Sequence, residues 1–429
     1  MVGSTPTHAP LRLVVVGSVD DGKSTLVGRL LHDSKSILAD TYDAVHSASL
    51  SRGATEVDLA LLTDGLRAER EQGITIDVAY RYFKTDRRSF ILADTPGHVQ
   101  YTRNTVTGAS TADAAVVLVD ARLGASVQTR RHAALLALLR VRHVVFAVNK
   151  MDAVDWSKDR FDEVADELRQ IARGVGIGDD TRAVQVVPIS ALSGEGVMRE
   201  APNWHVGPTL LGLLEALDTE HEDTAEPFRM PVQLVIRPRT ARHPDYRGLA
   251  GRVASGRVQV GDLVHANPSG TSSVVVAIDT PIGPVPAATA GESVTIRLAD
   301  ELDISRGEVL TTDEPIVVTR SVDAVVTWLG DNPSTVRQRV LVKAGTKTVR
   351  AMLGPVADLW DVDALRWVTS CAPLTLNDIG RCTVQLAEDV ALDEYRRLRT
   401  TGSFLVIDPA TGATLAACMA GADLGSLAS

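Results

Sequence analysis

The sequence has few of the features that mark secreted, membrane-spanning or disordered proteins. Its 429 residues include three cysteines, Cys371, Cys382 and Cys418, whose spacing fits neither a disulfide framework nor a metal-binding motif. No apolar run approaches the roughly 20 residues that a membrane-spanning helix needs. Met1–Pro10 lacks the basic start and apolar core of a signal peptide. We therefore expect a cytoplasmic protein with buried, reduced cysteines and no membrane partner.

An excess of positive charge is also absent. The formal net charge is −10, with 23% charged and 45% hydrophobic residues, which is typical of a soluble globular protein. Because phosphate backbones are bound by basic surfaces, this balance argues against nucleic acid as a partner. At about 100–200 residues per domain, the length predicts two to four domains.

The first half alternates short apolar runs with amphipathic stretches, which indicates a parallel sheet covered by helices on both faces. We predict an α/β domain over residues 11–219, after a flexible N-terminus at 1–10, and a linker in the acidic stretch Asp218–Glu226. The predicted strands are Arg12–Val16, Phe90–Ala93, Ala114–Val119, His143–Val148 and Val184–Pro188. The predicted helices are Arg131–Arg140, Lys158–Arg173 and Pro208–Leu217.

After Pro227 the pattern changes to short strands punctuated by glycine and proline, which favours small β-barrels. A turn-rich break at Leu310–Thr319 divides this half, and we predict two barrel domains at 228–314 and 318–426. The first set of predicted strands is Pro231–Ile236, Leu249–Ser255, Arg257–Val264 and Ser272–Ile278. The second set is Ser321–Leu329, Gln338–Ala344, Thr346–Met352, Arg381–Leu386 and Ser403–Ile407.

The first predicted strand leads into a phosphate-binding loop pattern, and a predicted helix follows it. Backbone N–H groups of such a loop cradle a β-phosphate at the helix N-terminus. Lys23 supplies positive charge to the β- and γ-phosphates, and the Ser24 hydroxyl is a ligand for Mg²⁺. The alternative is a glycine-rich turn without ligand. The predicted binding residues are Gly17, Ser18, Val19, Asp20, Asp21, Gly22, Lys23, Ser24 and Thr25.

A second segment ends the next predicted buried strand, and it comprises Asp94, Thr95, Pro96, Gly97 and His98. Asp94 can hold a water molecule bound to Mg²⁺, and the Gly97 N–H can meet the γ-phosphate. Alone, a tetrapeptide such as Asp94–Gly97 is most often just a strand end and a turn. His98 is placed to position the attacking water, as general-base histidines do.

The base is predicted to lie against two further strand ends. The Asp152 carboxylate can accept from the guanine N1–H and amine, a donor pair that adenine lacks, and the Ala191 N–H can donate to guanine O6. All these segments end successive strands, where open α/β sheets bind ligands. The sequence therefore predicts GTP rather than ATP. The base-binding residues are Asn149, Lys150, Met151, Asp152, Ser190, Ala191 and Leu192.

These motifs together resemble the translation-factor GTPases, elongation factor Tu among them. The resemblance implies an α/β P-loop GTPase domain followed by two small β-barrel domains. Over essentially the whole chain the sequence is more narrowly similar to the GTPase subunits of bacterial sulfate adenylyltransferase. The segments that carry this similarity are Gly17–Ser24, Gly28–Ser34, Asp64–Gln72, Tyr101–Asn104, Thr107–Ser110, Tyr246–Gly248, Ala254–Val258 and Asp303–Gly307. Val99 and Thr105 depart from the usual pattern without touching a proposed ligand.

The resemblance also gives a role to the charged segment Glu69–Asp77, which would otherwise be taken for a solvated loop. It implies that Thr75 is a second hydroxyl ligand of Mg²⁺ while the γ-phosphate is present, which makes this segment a switch. Val19 and Ile74 would then flank His98 as an apolar gate. The catalytic residues implied are His98, Lys23, Val19 and Ile74, and the metal ligands are Ser24, Thr75 and, through water, Asp94.

The resemblance implies a partner as well. The site of adenylyl transfer would lie on a separate small subunit, and GTP hydrolysis on this chain would drive synthesis of adenylyl sulfate and pyrophosphate from ATP and sulfate. Consistently, the sequence has neither a second phosphate-binding loop nor a His-x-Gly-His adenylylation signature. Some family members continue into an adenylyl-sulfate kinase domain. Because the sequence stops at Ser429 without the loop of such a kinase, the gene lacks that domain or it lies beyond this sequence.

Two other functions remain as alternatives at this point. An elongation factor carrying aminoacyl-tRNA would share the GTP site but would need a basic groove across the barrels, against the acidic composition. A regulatory GTPase would share the site and have another effector. A degenerate nucleotide site is a third alternative, although every ligand position is intact. Copurification with an adenylyl-transfer subunit, with RNA or with neither would separate these alternatives.

Overall fold

The computed structural model describes residues 10–36, 59, 78–98, 102–178, 184–202, 204–218, 225–238, 246–312 and 314–421. Within these ranges an α/β domain is followed by two antiparallel barrels. The N-terminus at 1–9 and the predicted switch around Thr75 lie outside the described residues. None of the helices in the described ranges is long and apolar enough to cross a membrane.

The described part of the α/β domain contains a six-stranded sheet in the order β2-β3-β1-β4-β5-β6. All neighbouring strands are parallel except β2, which runs antiparallel to β3 at the edge. The central strand β4 is buried along its whole length, which explains its unbroken run of apolar residues. The strands are β1 Leu11–Gly17, β2 Ala79–Lys84, β3 Ser89–Asp94, β4 Ala114–Asp120, β5 His143–Asn149 and β6 Gln185–Pro188.

Hydroxyl side chains set the starts of three helices in this domain. The hydroxyls of Ser126, Ser157 and Thr209 each accept a hydrogen bond from the backbone N–H three residues later. The longest helix buries one apolar face, which includes Phe161 and Leu168. The helices are α1 Lys23–Asp33, α2 Thr102–Ser110, α3 Val127–Leu138, α4 Lys158–Gly174 and α5 Leu210–Ala216.

The first barrel closes six antiparallel strands in the described part of the chain, because β10 pairs with both β15 and β11. Its interior is filled by alternating apolar side chains such as Val264 and Ile296. The strands are β7 Arg229–Ile236, β8 Gly248–Arg252, β9 Arg257–Gln259, β10 Leu263–Asn267, β11 Thr271–Thr280, β12 Gly283–Val285, β13 Ala287–Thr289, β14 Ser293–Leu298 and β15 Val309–Thr311.

The second barrel is also closed by six of its described strands, with β17 pairing both β21 and β18. Trp328 and Val384 lie in its core. A four-residue helix, α6 Arg399–Gly402, precedes β21. The strands are β16 Val317–Trp328, β17 Gln338–Ala344, β18 Lys347–Asp361, β19 Arg366–Thr369, β20 Ile379–Leu392, β21 Ser403–Ile407 and β22 Thr414–Ala420.

The predicted fold class is confirmed. The two barrels lie where the strand-rich segments predicted them, while the boundaries 228–314 and 318–426 stay predictions. The predicted strand Arg257–Val264 is interrupted, because Gly261 has a φ of 100° in the turn between β9 and β10. The sequence analysis did not identify strand β2 or helix α2.

A buried arginine joins the two barrels. Arg229 is 1% exposed, and its Nε lies 3.1 Å from Oδ2 of Asp393, which also accepts from the Thr401 hydroxyl. The same guanidinium donates to the backbone carbonyls of Phe228, Glu314 and Pro315. The fork of donors therefore fixes the segment between the barrels to both of them.

Arg229→Lys should lower the free energy of unfolding by about 1–2 kcal/mol. The lysine keeps a positive charge beside Asp393, but a single ammonium cannot reach the three carbonyls that the planar fork satisfies. Denaturant titration would measure the loss. Arg320→Lys is the matched control, because Arg320 makes an exposed pair with Asp389 and the change there should cost less than about 0.5 kcal/mol. An equal loss of unfolding free energy in the two variants would contradict the role of Arg229 in joining the barrels.

Candidate nucleotide-binding site

The predicted site residues lie at the carboxyl ends of parallel strands, at one edge of the sheet. The phosphate-binding loop follows β1, Asp94 ends β3, Asn149 ends β5, and Ser190 comes two residues after β6. Parallel strands bring these ends together, and ligands of open α/β sheets bind there. The structure therefore brings the segments at 17–25, 94–98, 149–152 and 190–192 to one edge of the sheet, and their role in binding stays a prediction.

The loop between β1 and α1 presents the start of that helix to a ligand. The helix N-cap is Gly22, with a φ of 93° and no side-chain hydrogen bond, and no acidic residue lies in the first turn. A Cβ at position 22 would overlap the Asn149 side chain, so both the backbone conformation and the space require glycine. The uncapped helix N-terminus leaves N–H groups and the positive end of the helix dipole for a phosphate.

One acidic group and one hydroxyl shape the loop. The Asp21 carboxylate accepts from the Ser18 N–H at 2.5 Å. Burial raises the pKa of Asp21, and the hydrogen bond from Ser18 opposes that shift. Ser18 is also tied to helix α3, since its hydroxyl lies 2.8 Å from the hydroxyl of Ser126, the residue that caps α3. These bonds preorganise the loop from both sides.

Lys23 lies buried in the centre of the loop. Its Nζ donates to Gly17 O at 2.9 Å and Ser18 O at 2.7 Å. Burial lowers the pKa of the ammonium, and the charges of Asp21 and Asp94 oppose that shift. Lysine serves phosphate sites as a compact point charge with several donors. This ammonium is held where a phosphate bound by the loop would meet it.

The segment after β3 lies against the same lysine. Asp94 is 1% exposed, and the Thr95 hydroxyl donates to Val15 O at 2.8 Å. A Cβ at Gly97 would overlap the Lys23 ammonium, so the backbone passes directly beside that charge. His98 is exposed at the end of this described segment, and Val19 is 44% exposed. Ile74, the other half of the predicted gate, lies outside the described residues.

Asn149 connects the phosphate end of the site to the base end. Its Nδ2 donates to Asp21 O at 2.7 Å, and its Oδ1 accepts from the Ala191 N–H at 2.9 Å. The predicted bond from the Ala191 N–H to guanine O6 thus meets a donor already used by Asn149, and it stays a prediction. Asp152 is exposed in a 3₁₀ turn at Met151–Val154, so its carboxylate is accessible to a base.

Lys150 and Asp120 form a pair that the sequence analysis missed in part. Lys150 has a φ of 61°; its Nζ lies 3.0 Å from Asp120 Oδ2 and also donates to Asp20 O in the phosphate-binding loop. Burial alone would raise the pKa of Asp120, but hydrogen bonds from Arg122 and Lys150 lower it to about 2. Asp120 ends β4, so the same strand-end position that identified Asp94 and Asn149 could have identified it.

The residues at this edge fit Mg²⁺ bound together with a phosphate. The described residues contain no cluster of three or more His, Cys, Asp or Glu side chains able to hold a metal. Mg²⁺ usually takes only one or two protein ligands, with water and substrate phosphates completing its shell. Ser24 in the first turn of α1 and the buried Asp94 supply such a set. Thr75, the third predicted ligand, is outside the described residues.

Fold and site together define a GTPase of the translation-factor type. The family model "Elongation factor Tu GTP binding domain" matches residues 9–223, and "GTP-eEF1A C-terminal domain-like" matches residues 321–420. Solved structures of sup35 in complex with GMPPNP and with GDP are similar at 23% and 22% identity, with a TM-score of 0.43 each. The first covers 96% of this chain and 94% of its own.

Curated relatives are far closer in sequence. "Sulfate adenylyltransferase subunit 1" of Vibrio campbellii is 49% identical over 415 residues, which are 95% of this chain and 85% of the relative. "Bifunctional enzyme CysN/CysC" of Mycobacterium tuberculosis is 49% identical over 414 residues, 95% of this chain and 67% of the relative. The chain belongs to the family of GTPase subunits of sulfate adenylyltransferase.

Proposed function

We propose that this chain hydrolyses GTP as the GTPase subunit of a sulfate adenylyltransferase. Hydrolysis drives synthesis of adenylyl sulfate and pyrophosphate from ATP and sulfate on a partner subunit that carries the adenylyl-transfer site. The observation that carries the proposal is the assembled nucleotide site in a chain 49% identical to relatives of that name. The pairing with a second subunit rests on the words "subunit 1" in the relatives' name.

We propose the following roles for the site residues. The N–H groups at the start of α1 and the Lys23 ammonium bind the β- and γ-phosphates, and the Asp152 carboxylate selects guanine. Mg²⁺, held by Ser24 and Thr75 and through water by Asp94, would neutralise charge that develops on the phosphates. His98 orients the attacking water and accepts its proton, while Val19 and Ile74 control its approach.

Location and further domains are part of the same proposal. The three cysteines are free thiols, but the prediction that they are buried is wrong for Cys371, which is exposed. The other two are buried, and burial raises the pKa of Cys382 to about 12. Free thiols suit a reducing cytoplasm. The "CysN/CysC" relative is named a bifunctional enzyme. We include an adenylyl-sulfate kinase domain in the full gene product among the expected partners.

Coupling requires the partner to distinguish the states before and after GTP hydrolysis. Adenylyl sulfate formation is unfavourable because a sulfate–phosphate anhydride is less stable than the bond it replaces. A ligand shifts an equilibrium only by its differential affinity for two states. The segment that senses the γ-phosphate, roughly 52–77 with Thr75, must therefore dock differently in the two states.

Thr75→Ala should retain GTP binding and lose both partner-stimulated GTP hydrolysis and GTP-stimulated formation of adenylyl sulfate. Thr75→Ser is the matched control, because it keeps the hydroxyl and should keep both activities. Both rates would be measured in the reconstituted pair of subunits, with and without sulfate. Full stimulation by Thr75→Ala would overturn the coupling, and GTP hydrolysis that ignores the partner and sulfate would overturn the proposed function.

A further inference from the structure

The guanine-facing loop after β6 is attached to the phosphate-binding helix by one side chain. Arg29, on α1, donates from Nε to Ala191 O at 3.2 Å and from Nη2 to Leu192 O. Its side chain is 17% exposed and also lies 3.5 Å from the Asp33 carboxylate. Arg29 belongs to the segment Gly28–Ser34, to which neither nucleotide binding nor hydrolysis has assigned a role. The guanidinium therefore links helix α1 to the loop at the base end of the site.

The loop is built to receive this guanidinium. Gly194 has a φ of 85°, and a Cβ there would lie 3.4 Å from Cδ of Arg29, so the aliphatic stem packs directly on the loop backbone. Within the loop, the Ser190 hydroxyl accepts from the Ser193 N–H at 3.2 Å, and Ser190 O accepts from the Gly194 N–H at 2.8 Å. Arg199 donates to Ser193 O from the other side.

The arginine fixes which way one peptide faces. In a trans peptide the C=O and the following N–H point in opposite directions. Because Ala191 O faces Arg29, the Leu192 N–H points away from α1. The next peptide has the same arrangement. Leu192 O accepts from Arg29, and the Ser193 N–H points the other way and donates to the Ser190 hydroxyl. In the described ranges the Leu192 N–H donates to no protein acceptor.

We propose that Arg29 is a positioning residue for guanine recognition, which holds the Ala191–Leu192 peptide so that the Leu192 N–H faces the base carbonyl O6. The inference rests on the proposed function, and it adds to it a second determinant of base choice. The Ala191 N–H is taken by Asn149, so Leu192 provides the donor that this loop has left. Asp152 reads the N1–H and the exocyclic amine of the base and does not depend on Arg29.

Nucleotide analogues separate this role from a structural one. The dissociation constants of GDP, 6-thio-GDP and IDP would be measured for the wild type, Arg29→Gln, Arg29→Lys and Arg199→Gln. The thione of 6-thio-GDP is a poor acceptor at position 6, and IDP lacks the amine read by Asp152. The wild type should prefer GDP over 6-thio-GDP about 5-fold, the usual effect of one hydrogen bond.

In Arg29→Gln the preference for GDP over 6-thio-GDP should fall to about 1–2-fold, because the donor is no longer oriented, while the preference over IDP stays at the wild-type value. Arg29→Lys, which can reach one carbonyl, should be intermediate. Arg199→Gln is the matched control. It removes a bond from the peptide whose N–H is already held by Ser190 O, and it should keep both preferences.

An unchanged preference for GDP over 6-thio-GDP in Arg29→Gln overturns the inference. Where Arg29→Gln does not fold, the same result in a folded Arg29→Lys overturns it. So does an equal loss of affinity for all three nucleotides, which would make Arg29 a structural brace only. A wild type that binds GDP but does not discriminate against 6-thio-GDP overturns it as well. A wild type that binds no guanine nucleotide would instead overturn the proposed function.

Discussion

His98→Ala should lower the rate of GTP hydrolysis about 10²–10⁴-fold and leave GTP affinity unchanged. This range is typical for the loss of a group that positions water or handles its proton. His98 is exposed directly after Gly97, which passes beside the Lys23 ammonium, so its ring can reach a water near the γ-phosphate. Single-turnover hydrolysis and equilibrium binding would be measured with the partner subunit present.

Two variants sharpen the result for His98. His98→Gln keeps a hydrogen-bonding group of similar reach but no basic nitrogen, so partial activity would assign the histidine to orientation and full loss would assign it to proton transfer. His32→Ala, at a side chain 37% exposed on α1, is the control and should keep the wild-type rate. If binding and turnover fell together in His98→Ala, the histidine would be structural, and the gate of Val19 and Ile74 would be refuted with it.

Asp152→Asn should weaken GTP binding by about 2–4 kcal/mol, the cost of breaking charge-assisted hydrogen bonds in a desolvated site. The amide that replaces the carboxylate presents a donor to the guanine amine, which is also a donor. Xanthosine triphosphate has an acceptor at that position, and its binding should be partly restored. Titration of both nucleotides against the variant and the wild type measures the exchange.

Asp155→Asn is the matched control for Asp152, since Asp155 is exposed at the end of the same short turn. It should change the affinity for neither GTP nor xanthosine triphosphate. Equal loss of GTP affinity in the two aspartate variants would assign the effect to the turn rather than to the base contact. Unchanged GTP affinity in Asp152→Asn would refute the assignment of this residue.

The ends of the buried strands were predictable from the sequence, and so was the start of α4 at Lys158, whereas the start of α3 was not. The strands β1, β4 and β5 are buried on both faces and read as unbroken apolar runs, which fixed the site segments that follow them. Helix α3 begins at Val127 rather than at the predicted Arg131. The reason is a capping box between Ser126 and Thr129, in which threonine replaces the usual acidic or amide partner.

Edge elements escaped prediction for a different physical reason. Strand β2 has only Phe83 fully buried and exposes Tyr82, so its composition carries little apolar signal and its pairing with β3 decides its conformation. Helix α2, at Thr102–Ser110, has the polar sequence TRNTVTGAS and lacks a strong apolar stripe. The contact of Arg29 with Ala191 and that of Asp120 with Lys150 join segments distant in sequence, which no local pattern encodes.

The two hydrogen bonds of the Asn149 side chain have a consequence for how nucleotide preference can evolve or be redesigned. One amide holds Asp21 O with its nitrogen and the Ala191 N–H with its oxygen, so a leucine there would remove the hydrogen bond to the phosphate-binding loop and the hydrogen bond to the loop after β6 in one step. Asp152 is exposed and stands apart from both contacts. Evolution or protein engineering can therefore change the nucleotide preference by substituting Asp152. A substitution of Asn149 would disturb the phosphate-binding loop at the same time.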